Sequence, residues 1–213
     1  TWWTSALPPE PVNTKPKGYL DGASCERVWG WSQDTDAPTK SIAVHLYFGG
    51  PAGDAKAKGV PIDANIDRSD LCTPLGSCNH GFEVASPLSL HDGKPHPVHA
   101  YGIDTAGGAN AELTQSPDTL DCDAVIPAGS KRLVKDMASF DDWGFSEFWD
   151  VMPVADGDLG AIPEEAALPD SPLLVQSTDG SPEVWLIDGE FRRQVPNLAV
   201  LATWGFDSAA IVK

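Results

Sequence analysis

Apolar and polar residues alternate along several short segments in the first half of the chain. Ser41–Phe48 is the clearest example, because every second residue is apolar and the turn sequence Gly-Gly-Pro follows. Such alternation predicts a strand with one buried face. Short apolar runs between Gly, Pro and Asp predict further strands at Cys25–Trp31, Val60–Ile66, Gly81–Val84, His96–Ile103 and Ala111–Leu113. Because no helical period interrupts them, residues 18–122 are predicted to form an antiparallel β-sandwich in a mostly β protein.

The pattern changes after residue 122, where a short motif occurs twice. Residues 131–145 align without gaps on residues 192–206, and both segments end in Trp-Gly-Phe. In each segment a residue that favours helix N-caps precedes apolar residues spaced three apart. Each segment then reaches a glycine suited to a left-handed helix end. We therefore predict two short helices, begun by Asp136 and Asn197 and closed by Gly144 and Gly205.

Three further apolar segments precede the second copy of the motif and are separated by Asp-Gly turns. Leu173–Ser177, Val184–Ile187 and Phe191–Val195 predict a three-stranded meander. Residues 123–213 are therefore predicted to be a small β-rich tandem repeat domain, with copies near 124–152 and 173–213. Trp143 and Trp204 hold the same position in the two copies, so equal burial is expected.

Residues 1–17 lack this periodicity. They are rich in proline and include the pair Trp2-Trp3. The composition predicts an extended Pro-rich linker or the tail of an upstream domain.

Charge narrows the choice of partners. The formal net charge is −17, which argues against nucleic acid and anionic membrane surfaces, since both attract basic proteins. No apolar run is long enough to cross a bilayer, so no membrane insertion is expected. With eight tryptophans and 41% hydrophobic residues, the chain can bury a substantial core.

Four cysteines indicate the compartment. None belongs to a Cys-x-x-Cys pair, and no histidine spacing completes a zinc motif. Of the three pairings that four cysteines allow, we predict Cys72–Cys78 as a local staple and Cys25–Cys122 as a clasp for the first domain. The alternative is four unrelated buried thiols. Disulfides favour a secreted or cell-surface protein.

Two predicted strands carry the same pattern, Val-His-x-Tyr. If the apolar residues face the core, His45, Tyr47, His99 and Tyr101 project from the opposite face and form one patch, provided that the strands are neighbours. Imidazole and phenol groups could bind a sugar or a metal there. The alternative is that these side chains only suit a half-exposed sheet face.

Motifs for catalysis are absent, including a nucleophile elbow, a phosphate loop and a dinucleotide fingerprint. Several acidic pairs could serve a glycosidase only if a cleft brought two carboxylates together. No cofactor is expected, apart from structural calcium, whose candidate ligands are Asp63, Asp67, Asp70, Asp156 and Asp158. Arg132 and Arg193 could grip a carboxylate or phosphate of a wall polymer, or else have a structural role.

The first domain resembles the immunoglobulin-like accessory modules of secreted bacterial enzymes. The resemblance depends on Gly18–Gly22, the Trp29-Gly-Trp31 step, Val44–Phe48 with its Gly-Gly-Pro, and His99–Asp104. Asp188–Phe206 is similar to the short Gly-x-x-Arg-x-Ile-Pro…Gly-Phe repeats of bacterial cell-surface and wall-associated proteins. In the first copy Lys135 stands where that pattern has proline. The resemblance implies a targeting or spacer module and supplies no catalytic residues.

These observations predict a non-catalytic extracellular binding module, with cell-surface or wall glycans as the ligand class. One alternative is a secreted polysaccharide or peptidoglycan hydrolase with an interdomain carboxylate pair. The other is a structural spacer of a larger secreted protein.

Overall fold

The computed structural model of the protein describes residues 12–189 and 191–213. The chain is mostly β, with antiparallel sheets that do not close on themselves. It divides into two compact units, residues 1–86 with 93–123 and residues 87–92 with 124–213. Most of the predicted Pro-rich linker lies outside the described residues, and its last residue, Lys17, begins the first strand.

The first unit contains two sheets. One has the strand order β1-β2-β6-β5, and its strands are β1 Lys17–Ala23, β2 Arg27–Gln33, β6 Asn79–Ala85 and β5 Ile66–Asp67. The other has the order β4-β3-β7-β8, with β9 also paired to β7. Its strands are β3 Ala43–Phe48, β4 Lys58–Asp63, β7 Pro95–Gly102, β8 Ala111–Glu112 and β9 Asp118–Asp121. A one-turn helix, α1 Cys72–Leu75, precedes β6.

All six predicted strands of this unit are present, with ends shifted by a few residues. Strands β1 and β9 were not predicted, because polar and glycine positions outnumber apolar ones in both. Their backbones are held by partners elsewhere in the chain. For example, the backbone N–H of Ala23 at the end of β1 donates to the Asp118 carboxylate at 2.9 Å.

Apolar side chains from both sheets make the core of this unit. Val44 and Leu46 of β3 and Val98 and Ala100 of β7 are fully buried. Leu20, Val28 and Phe82 are the corresponding buried residues of the other sheet. Burial of this apolar area is the main favourable contribution to the folding of the unit.

Both predicted disulfides are formed. Cys25 is bonded to Cys122 across 97 residues of chain, and Cys72 is bonded to Cys78 across six. All four cysteines are therefore used. The first bond joins the segment before β2 to the segment after β9, which lie at opposite ends of the unit's sequence.

We expect the two disulfides to differ in their contribution to stability. In the chain-entropy account, closing the long loop stabilises by about 4–5 kcal/mol and closing the short one by about 2 kcal/mol. The double variant Cys25→Ser/Cys122→Ser should therefore lose roughly twice as much free energy of unfolding as Cys72→Ser/Cys78→Ser. Urea denaturation would measure both, and equal losses would contradict the assignment of Cys25–Cys122 as the principal crosslink.

The second unit contains the predicted meander. Strands β10 Leu173–Gln176, β11 Val184–Asp188 and β12 Phe191–Val195 pair antiparallel in that order. Four short helices accompany them: α2 Met137–Asp142, α3 Glu147–Asp150, α4 Asp156–Gly160 and α5 Leu198–Thr203. Trp143, Leu174, Val184, Leu186, Val195 and Leu201 form a buried apolar cluster.

The helices α2 and α5 have the predicted ends. Asp136 accepts a hydrogen bond from the backbone N–H of Ser139 at 2.8 Å, and Asn197 accepts one from Val200 at 2.9 Å. Gly144 and Gly205 have φ of +73° and +79°, a conformation that glycine adopts without steric cost. The first copy of the motif differs upstream of its helix, where Lys131 makes a single parallel bridge to Glu164 in place of a meander.

The expectation that Trp143 and Trp204 are equally buried is wrong. Trp143 is 7% exposed, whereas Trp204 is 40% exposed. The indole N–H of Trp143 donates to the carbonyl of Pro169 at 2.9 Å, and its ring lies near Phe145 and Phe206. The two helices position their tryptophans alike, but burial depends on the segments that pack over each ring.

This difference predicts unequal effects of truncation. Trp143→Ala should lower the free energy of unfolding by about 3–5 kcal/mol, because it leaves a cavity in the apolar cluster. Trp204→Ala should cost well under half of that. Thermal and urea unfolding of the two variants form a matched pair, and the same loss in both would contradict the observed burial.

Among the residues that the structure describes, no helix is both long and apolar enough to cross a membrane.

Candidate functional site

The four residues His45, Tyr47, His99 and Tyr101 form one surface, which we call the His–Tyr patch. Strands β3 and β7 are adjacent and antiparallel, so the condition for a single patch is met. In their register His45 lies opposite Tyr101, and Tyr47 lies opposite His99. The apolar residues between them are fully buried, while all four patch residues are partly exposed. The patch therefore occupies the face of the sheet directed away from the core.

The neighbouring strands extend this surface on both sides. On β4, Pro61 lies opposite His45 and Gly59 lies opposite Tyr47. On β8, Glu112 lies opposite Tyr101. Packing explains why position 59 is a glycine, because a Cβ atom there would lie 3.1 Å from the Tyr47 ring. Its missing side chain lets that ring lie close over the neighbouring strand.

The rings of the patch contact one another. The Tyr47 and Tyr101 centroids are 5.7 Å apart with nearly perpendicular planes, and His99 is stacked on Tyr101 at 6.4 Å. His45 meets the Tyr47 ring at 6.4 Å in a tilted, edge-type contact. Edge-to-face and offset contacts of this kind are favourable for aromatic rings. They hold the patch in one arrangement before any ligand is present.

Glu112 fixes the polar edge of the patch. Its carboxylate accepts a hydrogen bond from His99 Nδ1 at 2.7 Å and another from the Ser116 hydroxyl at 2.9 Å. Burial, and then the negative charge of Glu112, raise the pKa of Tyr101 above its ordinary value. The Tyr101 phenol therefore stays protonated over the physiological range, and it is engaged in hydrogen bonds with the Glu112 carboxylate and the backbone of Ala52.

The patch has the chemistry of a binding surface. It offers ring faces together with imidazole and phenol groups, and its carboxylate already holds two hydrogen bonds. A sugar presents apolar C–H groups and a rim of hydroxyls, which match ring faces and polar tips respectively.

A second aromatic face was missed at the level of sequence. Tyr19 of β1 and Trp31 of β2 are stacked at 5.8 Å on the outer side of the other sheet. Trp29 lies on the same side under the Arg27 guanidinium, which is 4.9 Å from its ring centroid. The alternation of Trp29 and Trp31 along one strand was the available signal. Arg27 also pairs with Glu83 at 2.7 Å, so this face is charged and the Trp29 ring is covered by the protein's own side chain.

Arg132 and Arg193 are brought together by a shared carboxylate. Arg132 forms an ion pair with Asp188 through Nη1, and Nε of Arg193 lies 3.6 Å from the other oxygen of Asp188. Arg132 also donates to the carbonyls of Ala166 and Ala167 at 2.8 and 3.2 Å. Its side chain is 12% exposed, whereas that of Arg193 is 60% exposed. The Arg132 guanidinium is therefore held by groups of the protein itself, whereas Arg193 remains accessible.

The candidate calcium ligands are not gathered into a site. Among residues 12–189 and 191–213, no group of three or more His, Cys, Asp or Glu side chains is placed to hold a metal ion. Asp70 instead accepts two hydrogen bonds from Arg68, at 2.9 and 2.7 Å. Asp156 and Asp158 lie in the first turn of α4.

One acidic pair, Asp34 and Asp36, has local structural partners. Asp34 is buried and accepts hydrogen bonds from both the backbone and the hydroxyl of Thr105. Burial raises the pKa of Asp34, but the hydrogen bonds from Thr105 and Asp36 outweigh it, so the net direction is downward. A carboxyl group held ionised in this way ties a loop in place and is poorly suited to act as a general acid.

No family model, curated protein or solved structure matches the chain.

The contrast between the two arginines is testable. Arg132→Ala leaves the Asp188 carboxylate, which is only 4% exposed, without its principal partner, and should cost about 3 kcal/mol of unfolding free energy. Arg193→Ala removes an exposed partner and should cost less than about 1 kcal/mol. Urea denaturation measures both.

A second substitution separates charge burial from packing. Arg132→Ala/Asp188→Leu should recover part of the loss, because no buried charge remains unpaired. A double variant as unstable as Arg132→Ala would contradict this explanation.

Proposed function

We propose that the protein is a non-catalytic extracellular module that binds glycans through the His–Tyr patch. The observation that carries the proposal is the register of β3 and β7, which places four ring side chains on one outward face. In the same proposal the two sheets of the first unit form an immunoglobulin-like β-sandwich, and the second unit is a tandem repeat. The resemblances to accessory modules of secreted bacterial enzymes and to cell-surface repeats agree with this reading.

Export is supported by the two disulfides, since oxidising compartments favour them. The repeat is supported by local geometry. In both Trp-Gly-Phe segments the backbone N–H of the tryptophan donates to the carbonyl four residues earlier, which is that of Ser139 in the first segment and Val200 in the second, at 3.1 and 3.0 Å. The N–H of the final phenylalanine likewise bonds five residues back in each segment, at 3.2 and 3.1 Å.

Neutral glycans are the preferred ligand class at the patch. Its formal charge comes from Glu112, whose carboxylate would repel an anionic sugar at contact range. A neutral pyranose meets no such penalty and can exchange hydrogen bonds with the His45 imidazole. The ring faces supply contact area at low entropic cost, because a tyrosine has few rotatable bonds.

The proposal predicts the effect of truncating the two tyrosines. Tyr47→Ala and Tyr101→Ala should each weaken binding of a neutral oligosaccharide on the order of fivefold, since an aromatic contact contributes roughly 1 kcal/mol. The melting temperature should fall by no more than about 3 °C, because neither ring belongs to the core. A glycan array selects the oligosaccharide, and isothermal titration calorimetry measures its affinity.

Tyr19→Ala is the matched control, because it removes the third tyrosine of the chain from the other sheet. Binding that survives both patch substitutions would overturn the proposal. Loss of binding in Tyr19→Ala alone would move the site to the face of Trp29 and Trp31. Turnover of the bound oligosaccharide by the parent protein would favour the hydrolase alternative.

A further inference from the structure

The two Trp-Gly-Phe segments meet around a pocket of about 450 Å³ in the second unit. Residues 143–145 and 203–206 line it, together with Asp150, Leu186 and Arg193. The pocket is formed wholly within the second unit, and none of its residues belongs to the His–Tyr patch. A site here would therefore be independent of the glycan-binding site proposed above.

One wall of this pocket is rigid. Trp143 is fixed by its hydrogen bond to Pro169, and its ring is nearly parallel to that of Phe145 with centroids 6.3 Å apart. Phe206 meets the Trp143 ring at 6.4 Å and 65°. Trp204 lines the same pocket but is 40% exposed. The pocket thus combines a packed aromatic floor with one indole that remains accessible to a ligand.

Arg193 supplies a positive charge at the rim. It lies opposite Leu186 on β11 and on the same side of the meander as the apolar cluster. The carboxylate of Asp188 is shared by Arg193 and Arg132, and the shorter contact is to Arg132. Two guanidinium groups against the Asp188 carboxylate leave a single positive charge in excess there, and Asp150 places one negative charge elsewhere on the pocket lining. Because the side chain of Arg193 is 60% exposed, that charge is carried where a ligand can reach it.

The remaining polar groups of the pocket are acceptors. Asp150 accepts a hydrogen bond from the backbone N–H of Ser146 at 2.8 Å through one oxygen, which leaves the second oxygen for a donor. The Thr203 hydroxyl donates to the carbonyl of Ala199 at 2.9 Å, so only its lone pairs remain. A matching ligand has an anionic group for Arg193, hydroxyl donors for these acceptors and an apolar face for Trp204.

We infer that the pocket binds a carboxylate-bearing sugar, namely a uronic acid residue of an acidic glycan. The sugar carboxylate would take the two-pronged hydrogen bond that a guanidinium offers. The apolar side of the pyranose would lie on Trp204, and its hydroxyls would donate to Asp150. A peptide that ends in a free carboxylate shares the anionic group but lacks this combination of a ring face and hydroxyl donors.

The test compares two ligands that differ by the carboxylate alone. A galacturonic acid trimer should bind the parent protein, and a galactose trimer should bind at least tenfold more weakly, as measured by isothermal titration calorimetry. Arg193→Gln should reduce the affinity for the acidic trimer at least tenfold, since a charge-assisted hydrogen bond is lost. The affinity of Arg193→Lys should lie between those of the parent protein and Arg193→Gln, because lysine keeps the positive charge but cannot form the two-pronged hydrogen bond.

Arg192→Gln is the matched control. It makes the same change in net charge at the adjacent position, but the side chain of Arg192 lies over the Trp185 ring at 4.8 Å on the opposite side of β12. It should leave the affinity unchanged within about twofold. Trp204→Phe should reduce the ligand-induced change in tryptophan fluorescence, because only Trp143 then remains on the pocket lining, while leaving the melting temperature close to that of the parent protein.

Three results would overturn the inference. Equal binding of the acidic and neutral trimers would remove the role of the carboxylate. An equal loss of affinity in Arg192→Gln and Arg193→Gln would show a non-specific charge effect. Tighter binding of an N-acetylated tripeptide with a free C-terminal carboxylate would assign the pocket to peptides. None of these results depends on Tyr47 or Tyr101, so failure here and failure of the His–Tyr patch are distinguishable.

Discussion

The two-residue period of β3 and β7 is the constraint on which the first unit depends. Val44, Leu46, Val98 and Ala100 are fully buried, and each lies next to a histidine or tyrosine in sequence. A shift of either strand by one residue would bury those polar rings and expose the apolar side chains. The free energy that fixes the core therefore also fixes the His–Tyr patch. No separate stabilisation is needed to present its rings on the outer face.

The second unit depends on a different interaction, the buried Asp188 carboxylate. Arg132 belongs to the first Trp-Gly-Phe segment, and Asp188 lies on β11, which precedes the second segment. The ion pair therefore joins parts of the chain that are distant in sequence. When the alignment of the two segments is extended backwards, Pro127 stands opposite Asp188. One carboxylate thus serves two arginines. This asymmetry between otherwise similar segments makes Arg132 structural and leaves Arg193 exposed.

Features set by local chemistry could be predicted from the sequence. The meander follows from alternation and Asp-Gly turns, and the ends of α2 and α5 follow from cap residues and left-handed glycines. The exposure of Trp204 could not be predicted in this way, because burial depends on which segment covers a ring. The convergence of Arg132 and Arg193 on Asp188 is equally non-local. Strand β1 was missed because pairing with β2 and the Asp118 hydrogen bond, rather than its own composition, hold it in place.

Net charge and local charge give different expectations for ligands. The formal charge of −17 opposes the approach of an anionic glycan, but in physiological salt this repulsion is screened beyond about 8 Å. At contact range the nearest charged groups determine the affinity, and these are Glu112 at the patch and Arg193 with Asp150 at the pocket. The global charge should therefore slow the association of an acidic ligand, whereas the guanidinium governs how long it stays bound. Under the two proposals, each unit would carry its own local charge at its own aromatic surface, and one chain would discriminate between neutral and acidic sugars.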